Sequence, residues 1–198
     1  MCEGARVRLS SMATLPLRSR NIAELPSRVF ILKTPLTSKA GRIIALRPST
    51  QEDEDFLRRV YVGTRADELA LVDWSDEQKG SFANMQFNAQ HSYYQSIYPD
   101  ADYLIILEND EPVGRLYIHE HGDEIRIIDI AVLPEHRNNG TGTALLDEIL
   151  AEGRQKGKAV SIYVEKFNRA LRLYLRLGFV AVEDQGVYVL MKRFPGKQ

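Results

Sequence analysis

The chain has 198 residues, of which 44% are hydrophobic and 27% are charged, with a formal net charge of -1. This length and apolar fraction fit one domain with a sizeable core and do not suffice for two large domains. The near-neutral charge provides no field to attract nucleic acid or a membrane surface, and no apolar run approaches the roughly 20 residues that span a bilayer. A single cysteine, Cys2, cannot form an intramolecular disulfide, which fits a reducing, cytoplasmic compartment.

Residues 1–41 differ in composition from the rest of the chain. They are rich in basic residues, Ser and Pro and have no sustained apolar periodicity. An Arg- and Ser-rich, acid-poor leader is typical of a transit peptide, but Pro16, Pro26 and Pro35 would interrupt the amphipathic helix that such a peptide forms. We favour an N-terminal extension that packs on the domain or, because Met12 offers a later start, an overlong gene model. The apolar residues of the extension could dock as an extra strand.

From residue 42 onward the pattern becomes regular. Apolar runs predict strands over residues 43–48, 103–107, 113–118, 127–132, 160–165 and 187–192. Thr50 with Asp53 forms a capping box that predicts the start of one helix. Ser75 with Gln78 forms a second box, which predicts a helix through about Tyr94.

A strand, a glycine turn and a helix follow one another between residues 127 and 150. Pro134 closes the strand, Gly140 and Gly142 let the backbone approach a ligand, and apolar residues at helical spacing follow from Leu145. A helix N-terminus presents unpaired N–H groups and a partial positive charge. This layout therefore predicts a site for a phosphate or a diphosphate.

Several phosphate sites share this layout, and spacing separates them. A Walker-type loop needs a Lys and a Ser or Thr after its last glycine, whereas Thr143-Ala follows here. A dinucleotide fingerprint needs a small residue in place of Leu145, although Glu165 lies at about the distance of its acidic residue. An ordinary strand-to-helix connection remains open for this motif alone.

Two motifs resemble the GNAT superfamily of N-acyltransferases. The first, Arg137-x-x-Gly140-x-Gly142, resembles the loop that binds the pyrophosphate of acyl-CoA. The second is similar to the signature Asn-x-x-Ala-x-x-Leu-Tyr-x-x-x-Gly-Phe, and it is matched at Ala170, Leu173, Tyr174, Gly178 and Phe179. Asn168 lies one residue closer to the Ala than in the signature.

The resemblance covers roughly residues 42–193, where the predicted element order is β-α-α-β-β-β-α-β-α-β-β. It implies an α/β (α+β) GNAT fold, with a mixed sheet of about six to seven strands flanked by about four helices. The domain would occupy residues 42–198. The implied activity is acetyl transfer from acetyl-CoA, without a metal, to a primary amine by direct attack in a ternary complex.

We expect the acceptor to be a small molecule and the chain to be a monomer or a homodimer. Alternatives are a protein N-terminal or lysine acetyltransferase, a CoA-binding regulatory module without catalysis, and a nucleotide-binding protein.

The resemblance also implies roles for individual residues. Backbone groups of the strand would bind pantetheine and the tetrahedral oxyanion, and loop N–H groups would bind the diphosphate. The implied cofactor-binding residues are Ile130, Ala131, Val132, Arg137, Asn138, Asn139, Gly140, Thr141, Gly142, Thr143, Asn168 and Tyr174. Tyr174 would be the acid for the departing thiolate, and Glu124 the base, with Asp129 as its rival.

The helix that begins near Ser75 is the candidate for acceptor recognition. Gln86, Gln90 and Tyr94 fall at i, i+4 and i+8, on one face of a helix, and amide groups there could line an acceptor pocket together with Asp129. The histidines lack further ligands at metal-site spacing, so we predict no metal site.

Overall fold

The computed structural model describes Leu32 and residues 35–196. It contains eight strands, four α-helices and two short 3-10 helices. The strands are β1 (Leu36–Thr37), β2 (Ile43–Pro48), β3 (Asp102–Glu108), β4 (Glu111–His121), β5 (Glu124–Val132), β6 (Ala159–Glu165), β7 (Val180–Gln185) and β8 (Tyr188–Arg193). The helices are α1 (Glu54–Leu69), α2 (Asp76–Ile97), α3 (Thr141–Lys156) and α4 (Leu171–Arg176). The predicted fold class and the four helices are confirmed.

All eight strands form one sheet in the order β1-β2-β3-β4-β5-β6-β8-β7. The neighbours β5 and β6 run parallel, because α3 connects them, and the other neighbouring pairs are antiparallel. The sheet has more than the predicted six to seven strands because the two-residue strand β1 adds to its edge beside β2.

Helices cover both faces of the sheet. Alternate residues of a strand point to opposite faces, so Ile105 and Tyr117 pack with α1 and α2, whereas Leu104 and Leu116 pack with α3 and α4. Strands buried on both faces explain the continuous apolar runs in β3 and β4.

The predicted helix starts are confirmed at both capping boxes. Thr50 and Asp53 cap a 3-10 turn, Gln51–Asp53, that leads directly into α1. The Ser75 hydroxyl accepts a hydrogen bond from the backbone N–H of Gln78, and the Gln78 side chain caps Ser75 in return. These bonds satisfy N–H groups that the first turn of a helix leaves unpaired.

The sheet opens between β5 and β6. A register shift between Tyr117 and Ile118 marks a bulge at Ile128 of β5. The pairing of β5 with β6 runs only from Glu124 to Ile127, so the two strands separate beyond that point. The second half of β5 therefore has one edge without a strand partner among the described residues.

Part of the predicted N-terminal extension belongs to the sheet. Leu36 and Thr37 form β1, and Leu32 packs against the main core. The extension's other apolar candidates, Leu15, Leu17, Val29, Phe30 and Ile31, and its possible later start at Met12, lie outside the described residues. No helix within the described ranges is long and apolar enough to cross a membrane.

Candidate active site

The glycine loop has the backbone of an anion site. Asn138 and Gly140 adopt left-handed conformations, with φ of 64° and 90°. Gly140 lies at the N-cap of α3, a position that leaves the first N–H groups of the helix without helical partners. A Cβ added at Gly142 would meet no atom within 4 Å, so the start of α3 is open to a ligand. These features fit the predicted diphosphate site.

A buried carboxylate binds the start of α3, next to this loop. Glu108, at the end of β3, is only 3% exposed and accepts a hydrogen bond from the Thr141 hydroxyl at the start of α3. It also accepts one from Arg42 at 2.6 Å and lies 3.4 Å from His136 Nδ1. Burial raises the pKa of Glu108, but these three partners outweigh burial and hold it below its usual value. Thr141, predicted to contact cofactor, uses its side chain to fix the loop.

Arg137, the predicted source of charge at the edge of the diphosphate site, binds protein carbonyls. Its side chain donates to the carbonyl oxygens of Val132 at 2.9 Å and of Gly63 at 2.8 Å. These bonds tie the end of β5 to α1. Arg137 therefore holds the loop against β5 and α1. Its contribution of charge to a diphosphate stays a prediction.

Asn168 and Asn139 also make local bonds. The side-chain carbonyl of Asn168 accepts from the Ala170 N–H at 2.8 Å and caps the turn before α4. Asn139 donates from its side chain to the His136 carbonyl at 3.3 Å, within the loop itself. The contacts that the resemblance implied between these side chains and the cofactor stay predictions.

Tyr174, in α4, lies close enough to Asp129 of β5 for that charge to act on its hydroxyl. It is 4% exposed, and its ring packs edge-on against Phe179 at a centroid distance of 5.6 Å. Burial and the negative charge of Asp129 raise the pKa of its hydroxyl. The hydroxyl is therefore protonated at neutral pH, which is the form that an acid needs.

Asp129 follows the bulge in β5 and pairs with a buried cation from β4. Arg115 Nη2 lies 2.5 Å from Asp129 Oδ2, and Arg115 is only 2% exposed. The contact is an ion pair without hydrogen-bond alignment, and Asp129 Oδ2 has no hydrogen-bond partner among the described residues. Arg115 also donates to Gln90 Oε1 at 3.1 Å and faces the Tyr117 ring at 5.2 Å. Asp129 thus has Arg115 as its charge partner, and Arg115 links it to Gln90 of α2.

The predicted face of α2 points toward this ion pair. Tyr94 packs edge-on against Tyr117, with 6.3 Å between the ring centroids. Burial and, to a smaller extent, the negative charge of Asp129 raise the pKa of the Tyr94 hydroxyl. Gln90 binds Arg115, and Gln86 lies one turn further toward the start of the helix. Gln86 lines a small cavity between α1 and α2, whose other lining residues are Tyr61, Arg65, Glu68, Leu69, Phe82 and Ala83.

Glu124 lies at the other end of β5, where that strand still pairs with β6. It accepts hydrogen bonds from Lys192 at 2.5 Å, Ser161 at 2.7 Å and Arg126 at 2.9 Å. Burial opposes ionisation, but these partners prevail and lower the pKa of Glu124 to about 2. Five residues of strand place it roughly 16 Å from Asp129. These surroundings favour a structural ion pair, and the role of Glu124 as the base stays a prediction.

Sequence reasoning missed Arg115 and Glu108. Both lie in apolar strands that are buried on both faces. A charged residue in such a strand needs a partner, so its presence in an apolar run could have indicated a buried ion pair. Among residues 35–196, no group of three or more His, Cys, Asp and Glu side chains is arranged to hold a metal.

A family comparison identifies the domain. The model of the Acetyltransferase (GNAT) family matches residues 53–179, which is more than half of the chain. The chain belongs to the GNAT family of acetyltransferases. The match begins at the capping box of α1 and ends at the Gly-Phe after α4, so it includes the glycine loop, Asp129 and Tyr174.

Two kinds of GNAT relative illustrate the range of acceptors. The chain is 32% identical over 119 residues to the mycothiol acetyltransferase of Corynebacterium glutamicum, a match that covers 59% of this chain and 40% of that protein. The chain thus spans about two fifths of the length of these relatives. It is 27% identical over 119 residues to the [ribosomal protein bS18]-alanine N-acetyltransferase of Haemophilus influenzae, covering 60% and 72% of the two chains.

Solved GNAT structures share the fold at low sequence identity. The PaiA N-acetyltransferase from Thermoplasma acidophilum, solved in complex with coenzyme A, superposes with a TM-score of 0.58 at 17% identity and covers 76% of this chain and 98% of its own. The ribosomal-protein-S18-alanine N-acetyltransferase from Escherichia coli gives 0.52 at 17% identity, covering 78% and 96%.

Proposed function

We propose that this protein transfers the acetyl group of acetyl-CoA to a primary amine. The observation that carries the proposal is the gap between β5 and β6, which has Tyr174 beside it and Asp129 just after the bulge. Family membership supports the activity, and the coenzyme A held by the Thermoplasma relative supports the co-substrate.

Acetyl-CoA would lie along the gap. Its diphosphate would meet the N–H groups from Asn138 to Thr143, since Gly142 leaves room for close approach. Its pantetheine amides would pair with the backbone at Ile130 and Val132, where the edge of β5 has lost β6. A backbone N–H of this edge, near Ala131, would hold the oxyanion of the tetrahedral intermediate.

The transfer needs two proton movements. The neutral amine attacks the thioester carbon, a C–N bond forms, and the collapsing intermediate breaks the C–S bond. We assign the amine proton to Asp129, directly or through water, and the proton for the leaving thiolate to Tyr174. Solvent exchange then returns a proton from Asp129 to the Tyr174 oxygen, so that the products are an amide and free CoA thiol.

We favour a small-molecule amine as acceptor. The mycothiol acetyltransferase relatives support this choice. The bS18-alanine N-acetyltransferase relative supports a second candidate, acetylation of a protein N-terminus.

A thiol-release assay with acetyl-CoA tests the proposal. The panel should contain small primary amines and a peptide with an N-terminal alanine. Release that depends on a small amine supports the proposal, and release with the peptide alone favours the second candidate. Acetyl-CoA binding by titration calorimetry without release from any acceptor would favour a catalytically inactive CoA-binding module.

A further inference from the structure

A lysine that precedes the family domain lies against the glycine loop. The family match begins at residue 53, and Lys39 follows β1. An ideal Cβ on Gly140 would be 3.1 Å from the Lys39 backbone nitrogen and 3.3 Å from Lys39 Cγ. The turn that carries Lys39 therefore touches the loop at its left-handed glycine, and Lys39 is an exposed residue.

This turn is held firmly in place. Ser38 is 4% exposed, its N–H donates to the Arg42 carbonyl at 2.9 Å, and its hydroxyl accepts from the Arg42 N–H at 3.2 Å. Gly41 closes the turn with a φ of 74° and donates to the Ser38 carbonyl at 2.9 Å. The Arg42 side chain continues to Glu108, which also binds Thr141. One network thus joins the Lys39 turn to the first residue of α3.

Two arginines near the loop make hydrogen bonds to protein groups. Arg137 binds two backbone carbonyls, and Arg42 binds Glu108. CoA carries several negative charges on its phosphates, and a helix N-terminus contributes only a partial positive charge to balance them. A lysine on the rim of the loop supplies a full charge as a flexible point donor.

We propose that Lys39 is a binding residue for a phosphate of CoA, and that the segment Leu36–Thr37 with its following turn is part of the cofactor site. This inference rests on the proposed use of acetyl-CoA. The family's fold provides the loop, and this chain adds a cation from outside the matched region.

Titration calorimetry of the full chain with CoA tests the proposal. In Lys39→Met the side-chain stem that packs near Gly140 is retained and the charge is lost, so thermal unfolding without CoA should not change. We expect CoA to bind about three- to tenfold more weakly, as for an exposed ion pair to phosphate, with a smaller difference at high salt. Lys79→Met is the matched control, because Lys79 lies in α2 on the opposite face of the sheet from α3.

A second titration with 3′-dephospho-CoA identifies the phosphate. If Lys39 binds the 3′-phosphate, Lys39→Met and wild type should bind this analogue equally, and if it binds the diphosphate, the difference should persist. Equal CoA affinity of Lys39→Met and wild type would overturn the inference while leaving the proposed function intact. Failure of the wild-type protein to bind CoA would instead overturn the proposed function.

Discussion

Arg115 and Asp129 form a 2.5 Å ion pair between the bulged strand β5 and the neighbouring strand β4. The register pairs Arg115 with Ala131 and Tyr117 with Asp129, so the two charged residues lie diagonally across the ladder. The pair connects the helix face that carries Gln90 with the gap beside Tyr174. Its carboxylate is the group that we place beside the acceptor amine.

Two substitutions separate the chemical role of this pair from its structural role. Asp129→Asn should lower kcat by about 10²–10⁴-fold, because the proton acceptor is lost. Arg115→Met breaks the same pair but keeps the carboxylate, so kcat should fall by less than about tenfold in the same steady-state assay. Either change disrupts a buried pair and should reduce the free energy of unfolding by about 3–5 kcal/mol, measured by urea denaturation. Equal losses of kcat in the two variants would assign Asp129 a structural role alone.

The open side of Gly142 gives a direct test of the diphosphate site. Gly142→Trp should abolish detectable CoA binding in calorimetry, because the indole would fill the space that the diphosphate needs. Gly80→Trp is the matched control, since Gly80 lies in α2 and has no atom within 4 Å of an added Cβ either. Unchanged CoA affinity in Gly142→Trp would remove the loop from the cofactor site.

Glu124 should influence stability in a pH-dependent way. Its pKa falls from 4.5 to about 2 on folding, so its ionised form stabilises the folded state above pH 4.5, and this contribution is lost as pH falls toward 2. Glu124→Gln should therefore lower the free energy of unfolding by about 1–3 kcal/mol at pH 7, and by progressively less as pH falls below about 4.5.

Urea denaturation at several pH values measures this dependence. The same variant should keep its kcat within about tenfold of wild type, because Glu124 lies away from the gap. A loss of about 10²-fold or more in a fully folded Glu124→Gln would return the base role to Glu124.

Local signals predicted most of the fold. The strand at Ile43–Pro48 and the capping boxes at Thr50 and Ser75 depend on residues that are close in sequence, so their positions were predicted well. The connection between β3 and β4 is shorter than the predicted strands 103–107 and 113–118 leave, because Asn109 and Asp110 both adopt positive φ and form a tight turn.

The site depended on contacts between distant residues. The bulge at Ile128 and the end of the β5–β6 pairing depend on how β4, β5 and β6 align with one another. The sequence of one strand does not determine that alignment. The hydrogen-bond partners of Arg137 and Glu124 lie up to 74 residues away in the chain. The motifs therefore did not predict that these side chains bind protein groups. The resemblance located the loop and Tyr174, and the structure added Arg115, Glu108 and Lys39.

The rate of thiol release from acetyl-CoA in wild type and Tyr174→Phe, with a small primary amine that the wild type accepts, tests the central claim most directly. We predict amine-dependent release by wild type and a fall in kcat of about 10²-fold or more in the variant, with the same acetyl-CoA affinity by calorimetry. Equal kcat in the two proteins would contradict the assignment of Tyr174 as the acid, and no release by wild type with any amine would contradict the proposed activity.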